Sequence, residues 1–199
     1  MSHDAKPEDL PWEMYKSLVA QSEHFNGLES TYRTLASTWL LAAFGGIGFI
    51  LKDVPDYAGL LVAAVSAAAA AGIFLLWLMD LMVYHRLLGA VFAVQGALED
   101  RHPWLPQTAH GMMRAHDNAG VVPKIVWFYV VSYLILVGIA SVALVRHLGS
   151  EWNAPAQAAA TILCIVLLGG GVGLYMYVAA TRKTEEHEAF QAARRRHKE

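Results

Sequence analysis

The chain has 199 residues, 56% of them hydrophobic and only 16% charged, with a mean hydropathy of +0.36. Soluble domains run at about 45–50% apolar and about 25% charged, so this balance excludes an ordinary soluble domain and points to a membrane protein. A formal charge of −2 gives no sign of nucleic-acid binding, and the lone Cys164 excludes an internal disulfide or a multi-cysteine zinc site.

The N-terminal stretch MSHDAKPEDLPWEMYK lacks the basic-then-apolar layout of a cleavable signal peptide. The first apolar run is therefore expected to act as an uncleaved anchor. Residues 1–33 read as a cytoplasmic amphipathic helix. Pro11 suits its first turn, and Trp12, Tyr15, Leu18, Ser22, Phe25 and Tyr32 follow at helical spacing.

Four apolar runs, at about 34–51, 58–80, 125–145 and 157–180, are long enough to cross a hydrocarbon layer ~30 Å thick. The fold predicted is all-α: an integral membrane four-helix bundle, residues 34–180, whose helices extend into a cytoplasmic helical layer. Pro55 with Asp56, and Pro155, suit the entries to spans two and four. Segments 1–33, 81–124 and 181–199 carry 3, 4 and 6 Lys plus Arg, while the two short connections carry Lys52 and Arg146 alone. Basic residues collect on the cytoplasmic side, so both termini and the middle segment are expected there, with the chain in the cell (inner) membrane.

Span two raises the main question, because LLWLMDLMVYHRLL places Asp80 behind a run of aliphatic side chains. Apolar residues continue past it to Glu99, which predicts one helix over 58–100. Ser66, Ala70, Ile73, Trp77, Asp80, Tyr84, Leu87, Val91, Val94 and Leu98 form a heptad seam along it, with Leu78, Leu81, Leu88 and Phe92 on a competing neighbouring face. Asp80 lies about 33 Å from the start of the span, near the cytoplasmic boundary. As a plain boundary carboxylate it would bond Tyr84 or pair with Arg33 or Arg86. As part of an ion path or polar seam, Asp80 would act with Tyr84, Trp77 and Arg86, because ionisable residues in membrane helices often mark such paths.

The middle segment holds His85, His102, His110 and His116. A metal reading would rest on His102, His110 and His116. Their spacing argues against it, since His110 and His116 are six apart and do not share a helix face. No metal and no cofactor is expected.

Small residues four apart, Ala42 with Gly46, Ala68 with Gly72 and Gly169 with Gly173, predict close helix packing, within one chain or between copies, with little room for a large internal pocket. Trp39, Trp77, Trp104, Trp127, Tyr57, Tyr129, Tyr175 and Tyr177 mostly fall near span ends and read as interfacial belts. In the charged tail 181–199, Arg194, Arg195, Arg196 and Lys198 suit anionic lipid headgroups.

Three functions follow in rank. The first is a non-enzymatic homo-oligomer that conducts or gates ions, with a cytoplasmic protein or small-molecule ligand acting on its helical layer. The second is an accessory or scaffold subunit of a membrane complex, docking through residues 11–32 and 81–100. A membrane metalloenzyme using the histidine-rich loop ranks last. The bilayer is the partner common to all three, and nucleic acid is a partner in none.

Overall fold

A computed structural model describes residues 9–54, 58–112 and 121–179. The described residues are mostly helical and contain no strand. Four helices account for most of them: α1 (Asp9–Asp53), α2 (Ala58–Arg101), α3 (Val121–Leu148) and α4 (Ala154–Ala179). Each is long and apolar enough to cross a membrane. Pro55, Asp56, Tyr57, His116 and the basic residues Arg194, Arg195, Arg196 and Lys198 lie outside the described residues.

Two of the helices run well beyond their apolar runs, to 45 residues in α1 and 44 in α2. Pro11 sits in the first turn of α1, where a missing N–H costs nothing. Asp9 and Lys52 oppose the helix dipole at the two ends. Neither Gly27 nor Gly89 interrupts its helix.

The chain divides into two compact units, Met1–Thr34 with Leu78–Val121 and Leu35–Trp77 with Val122–Glu199. In the first, Tyr15 and Leu18 of α1 pack with Val91, Leu98 and Leu105 into one apolar cluster, flanked by Val19 and Phe25. In the second, Ile47, Ile50 and Val62 pack together against Val65, Ile139 and Ala143.

The buried stripe of α1 keeps one heptad register from Tyr15 through Leu18, Ser22, Glu29, Ala36 and Ala43 to Ile50. That of α2 does not. It runs Val62, Ser66, Ile73, Trp77 and then passes to Leu81, Leu88, Gln95 and Glu99, leaving Leu87 and Val94 exposed. The predicted seam holds as far as Asp80; beyond it Val91 and Leu98 stay buried, but Leu87 and Val94 are exposed and Leu81, Leu88, Gln95 and Glu99 share the buried side. The cause is a π-helical stretch, Leu78–Tyr84, whose wider turn adds a residue and rotates the buried face by one position. Beyond that stretch the buried side draws on both faces seen in the sequence, with Leu88 from one and Val91 and Leu98 from the other.

Glycine packs against side chains more than against backbone. A Cβ on Gly72 would lie 2.5 Å from Trp39 Nε1, and that indole donates to the Ala69 carbonyl at 3.1 Å. Ala42 and Ala68, the small partners expected beside Gly46 and Gly72, are exposed within the chain. Gly169 and Gly173 do face α3, where Leu134 and Val130 fill the space a side chain would need. A second π-helical stretch, Ile165–Gly170, surrounds Gly169, and its Leu168 carbonyl accepts from the Tyr133 hydroxyl at 3.3 Å.

Gly72→Ala is expected to destabilise the detergent-solubilised protein by about 1–3 kcal/mol, because the Trp39 ring must move. Gly45→Ala, with nothing within 4 Å of its Cβ, should be neutral or gain up to about 1 kcal/mol in helix propensity. Equal effects in a denaturant titration would exclude the indole wedge.

Candidate functional site

Asp80 lies inside the π-helical stretch and has no exposed surface. A buried carboxylate is costly unless a cation and hydrogen bonds meet it. Arg33 of α1 supplies both. Its Nε donates to Asp80 Oδ2 at 3.1 Å, and its Nη2 is 3.4 Å from Oδ1. The same Nη2 donates to Glu29 Oε2 at 2.6 Å, so one guanidinium bridges two carboxylates. The planar fork of arginine suits this task where a lysine ammonium would not.

Glu29 and Arg33 are four apart on α1, which brings both side chains to one face. His85, one residue beyond the π-helical stretch, reaches Glu29 Oε1 through Nδ1 at 3.1 Å. Burial alone would raise the Glu29 carboxyl. The hydrogen bond and charge of His85, followed by the charge and hydrogen bond of Arg33, hold it below its ordinary value of 4.5. Tyr84 stacks on Tyr32 with ring centroids 5.1 Å apart. Arg86 is exposed and directs its guanidinium toward Met82. Of the residues singled out with Asp80, neither Tyr84 nor Arg86 joins the cluster as a charge partner, and Trp77 belongs to the other unit. Trp77 is fully buried, with its ring edge against Tyr175, and its Nε1 has no hydrogen-bond partner among the described residues.

A second buried carboxylate, Glu99, closes the outer end of α2. It accepts from the Ala109 N–H at 2.9 Å, the His110 N–H at 3.3 Å and His110 Nδ1 at 2.7 Å. Gln95 Nε2 and the Thr108 hydroxyl add to it at 3.2 and 3.4 Å. The loop containing Pro103 and Pro106 turns the chain back, so that the helical residues starting at 108 present free N–H groups to this carboxylate. Tyr15 Oη, at 2.8 Å from Thr108 Oγ1, ties α1 into the same network. Burial would raise Glu99, but the Ala109 amide and the side chain and amide of His110 hold it below 4.5.

His110 is thus engaged by Glu99, with Asp100 at 3.4 Å from its Nε2. His102 stacks edge-on near Trp104. Among the described residues no group of three His, Cys, Asp or Glu side chains is placed to hold a metal ion. Alanines of α2 leave more space than the small-residue spacing suggested: a half-open cavity of about 400 Å³ is lined by Ala63, Ala67 and Ala71 with Tyr133, Cys164 and Leu168. Its walls are almost wholly apolar.

No protein-family model, curated protein or solved structure matches this chain at a significant level. The geometry therefore carries the functional argument alone.

Replacing Arg33 by Met should cost about 2–4 kcal/mol, since Asp80 is left buried without its cation. Adding Asp80→Asn is expected to recover more than half of that loss, and strictly additive losses would exclude the pairing. Both Glu29 and Glu99 titrate lower in the folded chain, so the unfolded chain takes up protons first as the pH falls. Stability should hold above about pH 5 and decline as the pH drops through 4.5 and below. Glu99→Gln should flatten that decline, and an unchanged slope in acid unfolding would contradict the assignment.

Proposed function

We propose that the chain is a multi-pass membrane protein that assembles with copies of itself into an ion-conducting bundle, held shut at rest by the Glu29–Arg33–Asp80–His85 cluster. Both termini and segment 81–124 face the cytoplasm, in the cell's inner membrane. The observation that carries this reading is the buried, charge-paired Asp80 in a π-helical turn at the end of an apolar span. Ionisable groups in membrane helices often mark ion or proton paths, and π-helical turns gather at functional positions. A carboxylate neutralised by an arginine passes no cations; parting the two frees a negative site at the cytoplasmic mouth.

The accessory-subunit reading is favoured by a different observation. Leu10, Trp12, Met14 and Trp104 are exposed outside the apolar runs, where water would be their neighbour. It predicts a stable partner on gentle extraction and no conductance by the purified chain alone.

Asp80→Asn is expected to change cation flux in proteoliposomes at least several-fold while leaving the oligomer mass unchanged. Unaltered flux would remove Asp80 from the path, and absence of flux from wild-type and variant alike would favour the accessory reading.

A further inference from the structure

The outer part of α2 is apolar on two neighbouring faces, and the described residues cover only one. Leu88, Val91, Gln95, Leu98 and Glu99 point inward and are buried. On the flank beside them Leu87 is 44% and Val94 45% exposed, and Ala90 and Ala97, which alternate with them, are exposed as well. A helix lying on a protein surface normally turns charged and polar side chains outward. Here the outward stripe runs Leu87, Ala90, Val94, Ala97, Arg101, with steps of three, four, three and four. This is a heptad seam with Leu87, Val94 and Arg101 at a and the two alanines at d.

We infer that this stripe is the interface with a second copy of the chain, the two α2 helices pairing in parallel through Leu87, Ala90, Val94 and Ala97. The inference rests on the assembly proposed above and names the surface that makes it. Two copies inserted in one membrane with one topology send residues 78–101 out of the same side, so a parallel pair is the arrangement a membrane allows. Alanine at both d positions lets the backbones approach closely. In a parallel pair each a side chain packs beside the preceding g residue of the other helix, which sets Arg101 against Asp100 of the second copy. Arg101 is exposed, and the Asp100 side chain keeps 28% of its surface open while it faces His110. The two-fold axis repeats that ion pair, so the terminal charge closes the seam instead of breaking it. The register comes from the π-helical stretch, because the one-position shift that buries Leu88 and Gln95 is what turns Leu87 and Val94 outward.

Cysteine cross-linking in native membranes tests the surface. In a Cys164→Ser background, Ala90→Cys or Ala97→Cys lies on the stripe, whereas Gly89→Cys is equally exposed but off it. Under a mild oxidant the first two should form disulfide-linked dimers at least ten-fold more efficiently than the third. Native mass spectrometry of the Cys164→Ser protein separates the remaining outcomes. An oligomer whose Ala90→Cys and Ala97→Cys variants cross-link no better than Gly89→Cys overturns the stripe and leaves the assembly standing. A monomer overturns both.

Discussion

Asp80 has no contact with solvent, and a carboxylate so placed must be met by a cation or abandon its charge. Much of the first unit follows from that constraint. Arg33 can reach Asp80 only if α1 continues as a helix past its apolar run, and only if it turns the Glu29–Arg33 face toward α2. Glu29, drawn in by the same guanidinium, brings a second negative charge, and His85 contacts its other oxygen. The π-helical stretch places both Asp80 and, just beyond it, His85 on the side of α2 that meets α1. One buried charge thereby fixes how two long helices are rotated against each other, a task that apolar packing performs loosely because neighbouring aliphatic faces are nearly equivalent.

The long helices were legible because span length, helical period and the absence of proline beyond Pro11 all agree over 9–53 and 58–101. Pro11 could be placed because its chemistry allows few other positions. The π-helical turn was not legible: LMDLMVY has no glycine or proline to announce it, and its effect is a slip between two stripes that the sequence fills equally well. Glu99 was missed for the same reason. On an unbroken heptad it falls beside the seam, and only after the one-residue shift does it fall on the buried face with Gln95, four residues before it. A Gln and a Glu at that spacing late in an apolar helix is the signal that was available. Small-residue spacing identified Gly72 but not its partner, because the volume left by a glycine can be filled by any neighbour that reaches it, and here an indole from α1 does so.

The two buried carboxylates are held by different means, and the difference bears on how such a protein could move. Glu99 is held mainly by backbone amides and by neutral or histidine donors from residues 108–110, so releasing it requires that segment of chain to leave. Asp80 is held by the long side chain of Arg33, itself one-third exposed and shared with Glu29. A rotamer change, or a competing anion at the guanidinium, alters that balance without unfolding any backbone. His85 makes the position of the arginine depend on a third group, because a Glu29 drawn toward the imidazole competes less for the guanidinium. Within the first unit, then, the Glu99 network is the fixed point and the Arg33 bridge is the adjustable one. The adjustable bridge ends in the π-helical stretch of α2, just past the apolar run that begins at Ala58.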